Sequence, residues 1–247
     1  MSHSVVVGMG EVGSSLANIL EHAGQKVFRK DIAEAEIPSG CGVLHLCLNY
    51  AALGKEKWLE LARHYIALYK PALVDVCSTT PPGTTRLLGR IACHSTTRGL
   101  HPHLEAGLLN IAKHVGGPRA KDLAAYYAAS GIRCMTHGSP DTTEAAHLAH
   151  LIDYGIQLIT ADWGQAFCRQ ANVDYIEAWT KYRDSHNSGF LALDMPSKVR
   201  MNLTPPGGRI GGHCIRQAAQ IVLDAGYSFS RLQPLVELLA RYNDEKK

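Results

Sequence analysis

The stretch Ser4-Val5-Val6-Val7-Gly8-Met9-Gly10-Glu11-Val12-Gly13-Ser14-Ser15-Leu16-Ala17-Asn18-Ile19-Leu20 decides how the first half of the chain is read. A β-branched apolar run passes directly into G-x-G-x-x-G and then into apolar residues at helical spacing, which predicts strand, glycine turn, helix. Each glycine has a task in such a turn. Gly8 permits the tight bend, Gly10 lets the backbone approach a pyrophosphate, and Gly13 packs helix on strand, while the helix N-terminus faces the anion. Glu11 and Val12 complete the candidate cofactor loop. A second strand, Lys26 to Lys30, ends in Asp31, about twenty residues past the glycines, where a carboxylate takes the ribose hydroxyls of NAD. Arg29 and Lys30 beside it could hold a 2′-phosphate instead, so NADP stays open. So does a fold of this kind holding another adenosine ligand, such as S-adenosylmethionine.

Outward from this motif, Gly42 to Leu48 reads as a buried strand, Lys55 to Tyr69 as an amphipathic helix and Ala72 to Cys77 as another strand, ending in Ser78-Thr79-Thr80-Pro81-Pro82-Gly83-Thr84-Thr85. Strands alternating with helices predict an α/β, Rossmann-type, doubly wound parallel sheet. Ligands of such sheets sit outside the carboxyl ends of the strands, which places Asn49, Ser78 and Thr79 near a nicotinamide. A helix-cap or turn role for the two hydroxyls is the alternative. Arg98 to Gly107 reads as a short apolar entry and a loop carrying His101, His103 and Glu105. An imidazole there suits general acid or base work, which makes His101 a candidate; a solvated loop histidine is the other reading. A helix from Ala120 to Ser130 and a last strand, Ile132 to Met135, close this half.

From Asp141-Thr142-Thr143-Glu144 the character changes, and a capping signal opens a long helical region, Ala145 to about Arg169. Helical segments around Val173 to Tyr182, Ile215 to Ala225 and Leu232 to Tyr242 follow, with Asp184 to Pro206 irregular. The expected domains are 1–138, binding a dinucleotide, and 139–247, a mainly helical part for substrate and dimerisation. Late in the chain, Gly207-Gly208-Arg209-Ile210-Gly211-Gly212-His213-Cys214-Ile215 clears side chains from a loop ahead of a histidine and a cysteine.

The 247 residues, 46% hydrophobic and 19% charged with a formal charge of +3, describe an ordinary globular chain with dispersed charge. Nothing asks for nucleic acid, no apolar run approaches a membrane span, and a strand beginning within about four residues leaves no room for a signal peptide. Seven scattered cysteines without C-x-x-C argue for reduced thiols, a cytoplasmic setting and no metal site.

Taken together, these motifs resemble the sugar-nucleotide dehydrogenases that oxidise UDP-glucose, UDP-N-acetylmannosamine and GDP-mannose. The resemblance rests on the glycine turn, on Ser78 to Thr85, on Glu144-Ala145-Ala146 and on Gly211-Gly212-His213-Cys214-Ile215. It implies Cys214 as nucleophile of a four-electron oxidation and Thr79 as an orienting hydroxyl. The pattern departs where the family carries a lysine, an asparagine and an acidic residue; here His147, Leu151 and Ala218 stand. The family also continues into a further nucleotide-sugar domain, whereas this chain ends soon after Cys214. A looser similarity, through Val74 to Thr79 and Gly99 to Gly107, is to prephenate and arogenate dehydrogenases. The resulting expectation is an NAD-dependent dehydrogenase of a small alcohol, hydroxy acid or sugar-type substrate. His147 replaces the lysine as proton acceptor, Ser78 and Thr79 orient the substrate, and a homodimer forms through the Ala145 to Cys168 helix. The alternative is a non-redox protein that binds a nucleotide or S-adenosylmethionine.

Overall fold

The computed structural model describes residues 3–31, 36–99 and 102–244. They fall into two compact units, Met1–Leu148 and Ala149–Lys247. The first unit is a seven-stranded sheet. Its strands are β1 (Ser4–Val7), β2 (Val27–Lys30), β3 (Val43–Leu46), β4 (Leu73–Val76), β5 (Ala92–Ser95), β6 (Lys113–Gly116) and β7 (Cys134–His137). Their spatial order is β2-β1-β3-β4-β5-β6-β7. All neighbours pair in parallel except β5 and β6, which pair antiparallel, so the parallel sheet expected from the sequence carries one reversal.

The helices of this unit are α1 (Glu11–His22), α2 (Tyr50–Tyr69), α3 (Leu104–Asn110) and α4 (Ala120–Ala128). All four residues of β1 are buried, as expected of an inner strand covered on both faces. Val6 packs on one side with Leu16, Leu20, Leu123 and Tyr127 from α1 and α4. Val5 and Val7 pack on the other with Leu44, Leu46, Trp58 and Ala62. Each such aliphatic side chain contributes roughly 1.5–3 kcal/mol on leaving water. The chain runs from β1 outward to β2 and then returns to β3 on the opposite side, so the topological switch point lies at the carboxyl ends of β1 and β3. The Gly8–Gly13 loop opens there.

The sequence did not reveal β5, α3 or β6. β5 reads Ala-Cys-His-Ser and buries a histidine and a serine, so it has no apolar alternation to detect. The long helix, α5, runs Pro140–Gln170. The two units divide inside it rather than at 138/139. Its first turns carry Thr143 and Glu144, both buried and bonded to groups of the first unit.

The second unit holds the rest of α5 with α6 (Tyr182–Ala192), α7 (Cys214–Asp224) and α8 (Gln233–Arg241). On α7, Ile215, Ala218, Ala219 and Val222 repeat at helical spacing and are buried, as are Val236 and Leu239 on α8. Gly155 of α5 gives this pair room, since a Cβ there would stand 2.6 Å from Ile215 and 2.7 Å from Leu239. Residues 184–192, expected to be irregular, belong to the helix α6, which follows a π-helical stretch, Ile176–Lys181. The polar, solvent-facing composition of α6 hides its period. Among the described residues no helix is long and apolar enough to cross a membrane.

Candidate functional site

The glycine loop meets the steric demands of a dinucleotide turn position by position. Gly8 has φ +91°, and a Cβ on it would lie 2.5 Å from the Cys47 carbonyl oxygen. A Cβ on Gly13 would lie 1.9 Å from the Gly8 carbonyl oxygen, so α1 can approach β1 only over a glycine. Gly10 differs, because a Cβ there meets nothing within 4 Å. Its lack of a side chain serves open space ahead of the α1 N-terminus, which Gly10 caps without any side-chain bond. A diphosphate fits that arrangement of clear backbone and helix N-terminus.

Asp31 follows β2 and is exposed. Arg29, the candidate for a 2′-phosphate, is tied back to α1. Its Nε donates to Glu21 Oε1 at 3.0 Å, and its Nη2 donates to Glu21 Oε2 at 2.5 Å and to Asn18 Oδ1 at 2.7 Å. Asn49 caps α2, its Oδ1 accepting from the Ala52 N–H at 3.2 Å.

Beyond β4 the loop Ser78–Thr85 is shaped by one buried carboxylate. Glu144 is fully buried, and its Oε1 accepts from the Thr80 hydroxyl (3.0 Å), the Thr85 N–H (2.9 Å) and the Thr85 hydroxyl (2.7 Å), while Oε2 accepts from the Gly83 N–H (2.7 Å). Burial raises its pKa above the usual carboxylate value, and these four donors oppose the rise. The same loop presents Thr79, half-buried, with its Oγ1 3.2 Å from His147 Nε2. Thus the structure brings Thr79 and His147 together. Ser78, expected to orient substrate, instead turns inward: its hydroxyl is buried, donates to the Leu46 carbonyl at 3.2 Å and accepts from Trp58 Nε1 at 3.3 Å. The alternation of side chains past the end of β4 sends residue 78 into the core and residue 79 outward.

Behind this pair stands His94, which sequence reasoning passed over. It is 1% exposed, with Nε2 donating to the Ser78 carbonyl at 3.2 Å and Nδ1 2.9 Å from the Thr143 hydroxyl. Burial, with the charge of His147 next, pushes its pKa down to about 3, so the ring is neutral near pH 7.

A second buried network runs through the middle of the sheet. His45 and Asp75 are register partners on β3 and β4, and His45 Nδ1 lies 2.7 Å from Asp75 Oδ2. The Tyr127 hydroxyl and the Cys77 thiol donate to Asp75 Oδ2, and Ser95 donates to Oδ1 at 2.5 Å. Burial alone would neutralise both ring and carboxylate. The carboxylate beside it nevertheless raises His45 to about 9, and Asp75 is held well below the ordinary carboxylate range by His45, Lys113 and Ser95. Their side-chain atoms, with the Cys77 thiol, lie within 4.8 Å of one another and form a closed ion pair.

Of the other candidates, His101 lies outside the described residues. Its neighbour Glu105 opens α3 and accepts from Asn18 Nδ2 at 2.6 Å, joining α3 to α1. Cys214 is the first residue of α7 in the second unit, partly buried, with His213 at the N-cap. In the loop before it, Gly207, Gly208 and Gly212 all have positive φ, so the turn itself demands three of the four glycines. Ile210, 1% exposed, is held at both backbone groups by Asn243, which accepts from its N–H at 2.9 Å and donates to its carbonyl at 3.0 Å. Elsewhere in this unit, a cleft of about 760 Å³ is lined by Trp163, Arg169, Val173, Tyr175 and Tyr242 among others.

No protein-family model matches the chain, and no curated protein sequence is similar to it. Solved structures are similar in fold. A UDP-D-ManNAc dehydrogenase from Pyrococcus horikoshii superposes with a TM-score of 0.75 at 20% identity, covering 98% of this chain and 68% of its own. A 3-hydroxyisobutyrate dehydrogenase from Mycobacterium tuberculosis gives 0.71 at 14% identity, covering 99% and 94%. A UDP-glucose dehydrogenase from Pyrobaculum islandicum gives 0.67 at 16%, covering 99% and 68%. The chain therefore has the fold of these dehydrogenases, spanning about two thirds of the sugar-nucleotide enzymes and nearly all of the hydroxyisobutyrate enzyme.

Proposed function

We propose that the protein is an NAD-dependent dehydrogenase that oxidises a secondary or primary alcohol of a small hydroxy acid or sugar-type substrate by two electrons. The observation that carries this reading is the Thr79–His147 contact at the carboxyl side of the sheet, 3.2 Å between hydroxyl and Nε2. Gly8, Gly10, Glu11, Val12 and Gly13 would hold the diphosphate of the cofactor and Asp31 its ribose, and when bound the nicotinamide accepts the hydride lost from the substrate carbon. His147 takes the hydroxyl proton as the carbonyl forms, and Thr79 orients that hydroxyl; imidazole titrates in the range such a base needs. Arg29 is already neutralised by Glu21, which favours NAD over NADP. A non-redox reading keeps the glycine loop but gives the Thr79–His147 pair no task.

A four-electron cycle through Cys214 would need the helpers that His147, Leu151 and Ala218 replace, and Ala218 is fully buried. We therefore assign a single two-electron step. Undiminished turnover in Cys214→Ala supports that assignment, and trapping of a thioester on Cys214 contradicts it. The main test is His147→Ala with a panel of hydroxy acids and sugars. Turnover should fall about 10²- to 10⁴-fold while NADH still enhances its fluorescence on binding, and equal turnover refutes the assignment.

A homodimer through the Ala145 to Cys168 segment belongs to the same proposal. Trp163 and Phe167 on α5 stack on each other at 5.7 Å yet remain 59% and 56% exposed, and a second copy would cover them. Light scattering that returns the mass of one chain contradicts this. We place the protein in the cytoplasm, a compartment in which its seven scattered cysteines would stay reduced.

A further inference from the structure

We propose that His94 is a positioning residue for the proton-accepting pair, one imidazole tying together the turn that carries Thr79 and the helical turn that carries His147. This rests on the proposed function. The geometry is specific. A carbonyl only accepts, so the 3.2 Å bond to the Ser78 carbonyl places the proton on Nε2; Nδ1 then lies 2.9 Å from the Thr143 hydroxyl, whose single proton it shares with the Pro140 carbonyl at 2.9 Å and the His94 carbonyl at 3.4 Å. Ser78 is the residue before Thr79, and Thr143 lies one helical turn before His147 on the same face of α5. His94 thus fixes the two backbones from which the reacting side chains extend.

Glu144 holds Thr80, Gly83 and Thr85 but not residues 78 or 79. Gly116 lets α5 come this close, because a Cβ there would stand 2.6 Å from the Thr143 hydroxyl. The ring is buried and feels the charges of His147, Asp75 and Lys113. Its neutrality means that it holds the pair without adding a positive charge behind His147, which has to take up a proton.

The experiment compares His94→Leu and His94→Gln in the full chain. Leucine removes both bonds; glutamine can still donate to the Ser78 carbonyl. His94→Leu should lower kcat about tenfold or more, with the KM for NAD unchanged, because an ångström of misplacement suffices for such losses. His94→Gln should restore most of it. A second readout does not depend on activity: in ¹⁵N-histidine NMR, wild-type His94 should show the Nε2–H tautomer with no titration between about pH 5 and 8. The ring signals of His147 should move in His94→Leu and return in His94→Gln. Unmoved His147 signals in a folded His94→Leu protein, or a glutamine variant no better than leucine, overturn the proposal. Should the wild type prove inactive on every alcohol, the proposed function falls, and the NMR comparison still decides whether His94 positions His147.

Discussion

Asp75 and Glu144 are both fully buried carboxylates in the first unit, and they are kept ionisable in opposite ways. Asp75 has a counter-charge, the His45 imidazolium at 2.7 Å, and its pKa is held low. Glu144 has only neutral donors, two hydroxyls and two backbone N–H groups, and its pKa is raised. The difference shows what each network is for. An ion pair between register partners on adjacent strands fastens the middle of the sheet. A ring of donors around one carboxylate instead imposes a shape on a loop, and that loop carries Thr79.

The comparison can be broken from either side. Asp75→Ala strands a charged or newly neutralised imidazole in the core and leaves the Tyr127 and Ser95 hydroxyls without their acceptor. Removing one partner of a buried pair costs about 3–5 kcal/mol, so denaturant melts should show a protein near or below its folding threshold; a change under about 1 kcal/mol would contradict the role given to this network. Glu144→Gln is milder, since one oxygen still accepts and only the donors facing the new NH2 lose their partner, at about 1–3 kcal/mol. Its signature is functional: turnover should fall further than stability predicts, because the Thr79 loop loosens, and turnover that simply tracks the folded fraction contradicts that role.

A third test is the pH dependence of stability, where two buried histidines give opposite slopes. His45 is raised to about 9, so the stability it contributes is complete below its unfolded value of 6.5 and is lost as pH climbs toward 9. His94 is lowered to about 3, so the unfolded chain binds the extra proton and stability is lost as pH falls from 6.5 toward 3. Melting temperature against pH should flatten on the alkaline side alone in His45→Gln and on the acid side alone in His94→Gln. Flattening on the same side in both variants would show that one of the two protonation states is wrong.

The glycine loop, β1 to β4 and most of α5 were legible because their residues carry local signals: a β-branched run, a steric motif, an apolar period. Thr79 was placed by its position past a strand end, whereas His147 was legible only through the resemblance, which aligned it with the family's lysine. The rest has no local mark. β5 and β6 bury His94, Ser95 and Lys113, polar residues that find their partners (the Ser78 carbonyl and Thr143, Asp75, and Thr96 and Thr97) only in the folded chain, so their strands read as loops. Ser78 was misread because a hydroxyl at a strand end looks the same whether it faces substrate or the Leu46 carbonyl. Glu144 looked like part of a helix cap, and its actual partners lie some sixty residues earlier, at Thr80, Gly83 and Thr85.

The central claim, a nicotinamide dinucleotide held on the Gly8–Gly13 turn, is tested most directly by NADH titration of the wild type beside Gly10→Ala. A Cβ at Gly10 meets nothing in the protein, so the variant should melt with the wild type, whereas the same methyl group occupies the approach of the diphosphate. Fluorescence enhancement in the wild type and its loss, by about tenfold or more in Kd, in an equally stable Gly10→Ala is the predicted result. No binding by the wild type, or equal binding by both, would contradict it.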